Sequence, residues 1–377
     1  MHRTKLIHVI TSIDRGGAEN QLIELIDQQR KKYDVEVFSL IGKNYWEKHL
    51  KKRKIKVSKP FNYVFISNFL VWINIIIASS FKLKKIIKKN KNKKIIVHAH
   101  LPPAELCCYI LTFITSINFN FIISKHLDSG FINASNKRDR SLFFEFIAKL
   151  IVNKSNHVIC ISKAVKNYLV KTYLKKFEYK MTVCHYGLQI NYNYREIRKL
   201  NSFFTIGTVA RFVNQKRLDL LLKIFIEFNK KYTKSKLVII GNGPNIYLIK
   251  NLINIHKLNK KVKIIKKSNN VIKEIKKFDV FALTSEFEGF GLVFLEAMYA
   301  QVPIIAFRVS AIPEIIKHEY NGLTIRFGDE KNYIKGLINL RNKNLRKKYI
   351  KNATKTLKKH FDIKLSSKKI DEVYSGL

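Results

Sequence analysis

Apolar positions along this chain follow two alternating periods. Short runs rich in Ile, Val and Phe have the length of buried strands. Between them lie stretches whose apolar residues recur every three or four positions, as on one face of a helix. In the first half, strands are read at Leu6–Thr11, Val35–Leu40, Ile95–His98, Phe121–Ser124 and Val158–Ile161, and helices at Ala18–Gln28 and Ala104–Ile114. Between Leu188 and Ser202 the sequence turns polar and aperiodic and reads as a linker. The alternation then restarts, with strands read at Phe204–Val209, Leu237–Ile240, Val262–Lys266, Asp279–Thr284, Val302–Phe307 and Leu323–Arg326. Helices are read at Leu218–Lys230, Ile246–His256, Val271–Lys277 and Leu292–Ala300, and Asn332–Leu377 reads as Lys-rich helices.

Strands that are apolar on both faces and joined through helices imply parallel sheets covered on both sides. The expectation is an α/β protein of two doubly wound, Rossmann-like domains facing across a cleft, over residues 1–190 and 203–360, with 361–377 as a tail able to pack across the hinge. A chain of 377 residues suits two such cores.

Charge adds a question about partners. Against 27 acidic residues stand 72 Lys and Arg, a net charge of +45. Such a balance points to nucleic acid or an anionic membrane. Lys, Ile, Asn and Phe are abundant together, as AT-rich codon usage would make them, so part of the excess is compositional. Neither zinc-finger spacing nor an RNA-binding signature accompanies it; an anionic inner-leaflet membrane surface is the expected partner, and nucleic acid is not. Residues Tyr63 to Ala78 are almost wholly apolar and lead into lysines between Lys82 and Lys94, the pattern of an interfacial anchor with snorkelling cations. Interrupted by Ser67, Asn68 and Asn74, the run falls short of the about twenty residues a span needs. It reads as a helix of the N-terminal domain, buried or laid on a membrane. Cys107, Cys108, Cys160 and Cys184 have neither metal-site nor disulfide spacing and suit a reducing cytoplasm. The N-terminus runs into a strand without the apolar region of a signal peptide.

Candidate chemistry concentrates after strands. In Glu286-Phe-Glu288-Gly-Phe-Gly291-Leu-Val-Phe-Leu-Glu296, carboxylates flank a glycine-rich turn and a helix start. The free amides there suit a phosphate or sugar oxygen, and ionised carboxylates accept pairs of hydroxyl bonds. Arg211 and Lys216 follow the first strand of the second half and could neutralise a diphosphate. The chain has no Asp-x-Asp pair to carry a divalent metal, so cations would take the metal's place. Gly16-Gly17-Ala18-Glu19 opens the first helix and permits close approach. His126 follows a strand and could offer an imidazole or its backbone carbonyl, while His98 and His100 share a strand face without further metal ligands. Gly241-Asn-Gly243-Pro244 reads as a structural turn.

Taken in order, Gly16-Gly17-Ala-Glu, His126, Arg211 with Lys216, Gly241-Asn-Gly-Pro and the Glu288-to-Glu296 segment resemble the retaining glycosyltransferases of family 4, with two Rossmann-like domains in the architecture called GT-B. Ile159-Cys-Ile-Ser-Lys-Ala-Val and Tyr186-Gly187 resemble lesser landmarks of that family. The resemblance implies transfer of a sugar from a nucleotide-diphosphate donor, UDP- or GDP-linked, to a glycan or lipid-linked glycan acceptor in bacterial surface-polysaccharide assembly. Neither metal nor other cofactor would be needed, because the leaving phosphate helps take the acceptor's proton. It further implies that Glu288 binds the donor sugar, that Gly289, Phe290, Gly291 and Leu292 offer backbone amides, and that Glu296 holds the ribose. Arg211 and Lys216 would stabilise the departing diphosphate, His126 would approach the sugar, and Gly16 and Gly17 would line the diphosphate or acceptor side. The implied location is cytoplasmic, peripheral at the inner membrane. The chain departs from the family pattern at Arg217, where glycine is frequent, and at Arg308-Val-Ser-Ala-Ile-Pro313, where relatives often carry a glycine-rich turn. A sugar-nucleotide epimerase or hydrolase on the same fold, or a non-catalytic protein binding anionic lipid or nucleic acid, are the alternatives.

Overall fold

The computed structural model describes residues 3–41, 45–60, 69–126, 142–191 and 203–377. Most of the linker and the first part of the apolar run from Tyr63 lie outside the described residues. The chain divides into two compact units, one formed by Met1–Gly187 together with Ile363–Leu377, the other by Leu188–Asp362.

The first unit holds a seven-stranded sheet of β1 (Lys5–Ile10), β2 (Asp34–Ser39), β3 (Lys56–Ser58), β4 (Ile95–His100), β5 (Asn120–Lys125), β6 (His157–Cys160) and β7 (Met181–Val183), in the order β3-β2-β1-β4-β5-β6-β7. Every pairing is parallel. β1 and β4 are buried along their whole length, as expected of strands with helices on both faces. Two strands escape the sequence pattern. Lys56–Ser58 and Met181–Val183 are three residues each, too short to show a period. The helix Gly17–Gln29 buries Leu22, Leu25 and Ile26 against β1 and against Ile370 and Tyr374 of the last helix, Ile363–Ser375. That last helix therefore belongs to the core of the first unit. The four cysteines are free thiols, all buried here.

The long helix Phe69–Lys89 holds the described part of the apolar run. It buries Ile75, Ile76, Leu83 and Ile87 while leaving Leu70, Ile77 and Phe81 exposed. Among the described residues no helix is long and apolar enough to cross a membrane.

The second unit holds a six-stranded parallel sheet of β8 (Phe204–Val209), β9 (Ser235–Ile240), β10 (Val262–Ile265), β11 (Val280–Leu283), β12 (Ile304–Phe307) and β13 (Leu323–Ile325), in the order β10-β9-β8-β11-β12-β13. Helix Leu218–Lys231 follows β8 with seven buried apolar residues spaced as one helical face. Tyr333, fully buried on helix Glu330–Asn339, donates to the carbonyls of Leu283 at 3.3 Å and Ile305 at 3.0 Å, which ties the ends of β11 and β12 together. Each sheet reverses its strand order once, between β1 and β4 and between β8 and β11. Loops leaving the C-terminal ends of strands at such a reversal diverge and open a crevice.

Candidate active site

β8 and β11 are neighbours in space but far apart in sequence. Their following loops meet for that reason, and both carry residues singled out above. The loop after β8 passes Arg211 and turns through Asn214–Lys216; the loop after β11 runs from Thr284 to Gly291. Gln215 joins them twice, accepting from the Glu286 amide at 2.9 Å and donating from its side chain to the Phe287 carbonyl at 2.8 Å. The Thr284 hydroxyl lies 3.2 Å from the Lys216 carbonyl and 2.9 Å from that of Arg217. Two loops so laced together hold their side chains in fixed register.

Within this frame Lys216 Nζ sits 2.6 Å from Glu288 Oε1. Glu288 is 5 % exposed, and the Ser285 hydroxyl donates to the same Oε1 at 2.7 Å. The Glu288 backbone carbonyl accepts from the amide of Ala311, in the loop after β12, at 3.3 Å. One carboxylate oxygen thus takes both side-chain bonds, and Oε2 has no partner among the described residues. The sequence reading placed Lys216 and Glu288 in separate jobs; the structure makes them one ion pair. Arg211 is exposed and makes no ion pair with any described residue.

Gly291, with φ +92° and ψ +63°, is the cap of the eight-residue helix Leu292–Tyr299, and no side chain caps that terminus. A Cβ at Gly291 would stand 2.7 Å from the Phe294 ring, so glycine answers both to the left-handed backbone and to the close packing. The Phe290 ring is buried and packs edge-on against Phe361 at 5.8 Å, which leaves its backbone as the part that can meet a ligand. Gly289 precedes it in the turn, Leu292 is buried at the first helical position, and Glu296 is half-buried on the same helix.

The departures from the family pattern fall on unusual backbone. Arg217 has φ +45° and ψ +48°, and Ser310 has φ +42°. Both lie in the left-handed region, where glycine is the least strained residue. Here Arg217 is held instead by a two-nitrogen grip on Asp219 at 3.1–3.3 Å. The Gly241-Asn-Gly243 turn is structural: a Cβ on Gly241 would stand 2.0 Å from the Ala210 carbonyl oxygen, and one on Gly243 2.6 Å from that of Phe212. It buttresses the loop that bears Arg211.

Gly16, Gly17 and His126 belong to the first unit. Gly16 caps the helix Gly17–Gln29 with extended backbone, the Glu19 carboxylate folds over it, and Gly17 faces open space. His126 is half-buried at the end of β5. Its Nδ1 is bonded to the Tyr186 hydroxyl and its Nε2 lies 3.3 Å from His100 Nδ1. Burial, and after it the neighbouring Lys125, pushes the His126 pKa down to about 3, so the ring is neutral. A cavity of about 20 Å³, room for about one water, is bordered by Ala18, Gln21, His100, His126, Tyr186 and Ser366. Gln21 is 4 % exposed and neither atom of its amide has a partner among the described residues.

His98 and His100 do share a face, and His8 of the adjacent strand joins them, with ligand-type atoms within 4.8 Å of one another. Those nitrogens are engaged in hydrogen bonds: His8 with His100 at 3.0 Å and with Gln29 at 2.8 Å, His98 with Tyr374 at 2.6 Å and with Ser124 at 2.7 Å. The sequence reading missed Ser285, Gln215, His8 and Gln29. Ser285, three residues before Glu288, was open to notice; Gln29 sits four residues after Leu25 on the buried stripe of the first helix, which also carries Gln21.

Comparison with known proteins agrees with this geometry. Residues 15–188 match the model for Glycosyltransferase Family 4, and residues 193–356 match the model for Glycosyl transferases group 1. The chain is 24 % identical over 381 residues to the capsular polysaccharide biosynthesis glycosyltransferase CapH of Staphylococcus aureus, with 98 % of each chain covered. It is 23 % identical, over 94 % of each chain, to a Campylobacter jejuni α-1,4-N-acetyl-D-galactosaminyltransferase that acts on an undecaprenol-diphosphate-linked glycan. The crystal structure of HepE from Anabaena in complex with UDP-glucose superposes with a TM-score of 0.81 at 18 % identity, covering 99 % of this chain and all of that one. That likeness shows the GT-B fold of two Rossmann-like domains.

Proposed function

The chain belongs to the glycosyltransferases of family 4 and group 1, and from that premise we propose that it is a retaining, metal-independent enzyme moving a sugar from a UDP- or GDP-sugar to a lipid-linked glycan during bacterial surface-polysaccharide assembly. One observation carries the donor site: the part-buried Lys216–Glu288 pair at the strand-order reversal, beside a helix N-terminus whose cap residue offers no side chain. Glu288 Oε2 accepts from a donor-sugar hydroxyl. The amides from Gly289 to Leu292 bond sugar and phosphate oxygens, and Glu296 takes the ribose diol. Lys216 keeps two further N–H donors for the diphosphate, and Arg211 supplies a guanidinium with no carboxylate partner among the described residues.

In the transfer, an acceptor hydroxyl oxygen bonds to the anomeric carbon as the bond from that carbon to the diphosphate oxygen breaks on the same face. The acceptor proton passes to the leaving diphosphate, and the two cations hold the charge that develops there. His126 takes part from the first unit. With both ring nitrogens engaged, its backbone carbonyl is the group it offers a substrate.

The acceptor reading draws on the lipid-linked substrate named for the Campylobacter relative, and the polysaccharide setting on CapH. A surface of the first unit supports a membrane partner. Helices Phe69–Lys89, Pro102–Ile114 and Leu142–Lys154 pack side by side. Their exposed side chains include Leu70 at 68 %, Phe113 at 64 %, Phe143 at 59 % and Phe146 at 58 %, interleaved with Lys82, Lys85, Lys149 and Lys154. Apolar side chains among lysines fit an anionic inner-leaflet surface, where each lysine contributes about 1 kcal/mol. The enzyme then works peripherally at the cytoplasmic face.

The decisive experiment measures transfer with Glu288→Ala and Arg211→Ala after a thermal-shift screen of UDP-, GDP-, ADP- and CMP-sugars has identified the donor. Both variants should keep the fold and lose most transfer; full activity in both would overturn the site. Flotation with anionic vesicles tests the membrane face, which is abandoned if the protein stays unbound at physiological salt.

A further inference from the structure

A continuous row of side chains crosses the interior of the first unit. Gln29 Oε1 lies 2.8 Å from His8 Nε2, His8 Nδ1 lies 3.0 Å from His100 Nε2, His100 Nδ1 lies 3.3 Å from His126 Nε2, and His126 Nδ1 meets the Tyr186 hydroxyl. His8 is wholly buried and His100 is 3 % exposed. Strand register builds the row: His8 pairs with His98, two residues before His100, and His100 pairs with Ser124, two residues before His126. The far end is sealed by the last helix, whose Tyr374 hydroxyl accepts from the Gln29 amide nitrogen at 3.3 Å. The near end borders the cavity beside His126.

A neutral imidazole has one N–H and one acceptor nitrogen. In such a row the choice at one end therefore propagates to the other. An amide oxygen can only accept, so His8 must place its proton on Nε2 and receive on Nδ1. His100 and then His126 are forced into the same tautomer, and the Tyr186 hydroxyl must donate to His126. We propose that Gln29, His8 and His100 are positioning residues that hold the His126 ring in one tautomer and one orientation, and with it the backbone carbonyl that His126 offers to the transfer. This rests on the reading of His126 as part of the transfer site. The amide of Gln29, in the interior of the unit, thereby fixes a ring at the end of β5 through two intervening imidazoles.

The test uses the full-length enzyme. Long-range ¹⁵N–¹H correlation of histidine-labelled protein should show His8, His100 and His126 neutral and protonated on Nε2; Nδ1 protonation or mixed tautomers would overturn the proposal without recourse to any variant. His8→Leu, which removes the acceptor for His100, should lower kcat about tenfold to a hundredfold, the scale of a misplaced group. The donor KM should stay within about twofold. His8→Asn, whose Oδ1 still accepts near the Nδ1 position, should recover most of kcat. A His8→Leu enzyme that stays folded with full kcat and unchanged His126 tautomer refutes the relay. So does one tightly bound zinc per chain that is lost on replacing His98. If His126→Ala, which keeps the backbone carbonyl but removes the ring that places it, itself retains full kcat, the reading that the His126 ring serves the transfer site fails; if His126→Ala is impaired while His8→Leu is not, only the relay fails.

Discussion

Replacing Lys216 with methionine separates the stability of the donor loop from its chemistry. Methionine keeps the apolar stem and removes the charge 2.6 Å from Glu288 Oε1. At an effective dielectric of about 20, unit charges at that separation attract by about 6 kcal/mol. Desolvation of both groups offsets much of this, and the measured scale for breaking a buried pair is about 3–5 kcal/mol, because the surviving charge is left uncompensated. Side-chain exposures of 16 % for Lys216 and 7 % for Glu288, with the Ser285 bond still in place, put this site at the low end, about 3 kcal/mol. The same logic makes the pair non-additive. Glu288→Gln alone removes the partner of Lys216, whose more exposed ammonium can turn to water, so it should cost about 1–2 kcal/mol. The double variant should lie near the worse single one, a coupling of about 1–2 kcal/mol.

Urea unfolding of the four proteins of this cycle measures these quantities, with the transition of the second unit followed by a probe attached there. Calorimetric titration of the donor runs alongside, since Lys216→Met should also weaken nucleotide-diphosphate binding. The reasoning is refuted if Lys216→Met unfolds within about 0.5 kcal/mol of the parent or if the two losses simply add. Either result would mean that the pair is solvated and does not organise the loops.

Further outcomes are expected elsewhere. Burial holds the His8 pKa down at about 4, offset in part by its bond to Gln29, and His126 at about 3, while both titrate near 6.5 when unfolded. The unfolded chain therefore binds more protons below pH 6.5; stability is fully present above that pH and falls as pH drops toward 4. His8 alone accounts for roughly 2 kcal/mol at pH 5, so chemical denaturation at pH 7 and pH 5 should show the loss shrink by about that amount when His8 is replaced by asparagine, the rest staying with His126 and the other buried histidines. Gly291→Ala forces a side chain into φ +92° and to 2.7 Å from the Phe294 ring, costing about 1–3 kcal/mol, and should weaken donor binding in the same titration. At Arg217, glycine relieves the left-handed strain but loses the grip on Asp219, so Arg217→Gly should stay within about 0.5 kcal/mol of the parent. A β-branched Arg217→Val should cost about 1–2 kcal/mol, read from the urea midpoint.

Much of the architecture was open to reading because helix and strand periods differ so plainly in this chain. The central strands are continuous apolar runs, and glycines mark the turns that follow them. The same glycines, with Glu288 and Glu296, marked the loop proposed to bind the donor. What escaped depended on strand order. Nothing between Lys216 and Glu288 in sequence announces that β8 and β11 are neighbours, and only that adjacency turns a lone cation and a lone carboxylate into one part-buried pair. Edge strands of three residues, Lys56–Ser58 and Met181–Val183, had too few positions to define a period.

The histidine row was hidden for a different reason, and it shows where further reading of such sequences should look. Its members come from β1, the first helix, β4, the end of β5, the segment before the linker, and a last helix 345 residues beyond Gln29. Pairwise spacing cannot find such a group. Several members nevertheless break a local rule: Gln29 stands on the buried stripe of an amphipathic helix, and His8 and His100 lie in strands buried along their whole length. A polar side chain placed where the period demands burial needs a partner inside the unit, since burying it alone costs about 1–3 kcal/mol. Several such exceptions in one domain can satisfy one another, and the domain is then obliged to bring them together, as it does Gln29, His8 and His100; Gln21 stays without a partner among the described residues. In this chain that obligation reaches the last helix, because Tyr374 bonds both Gln29 and His98, so its hydroxyl anchors the end of the row farthest from His126.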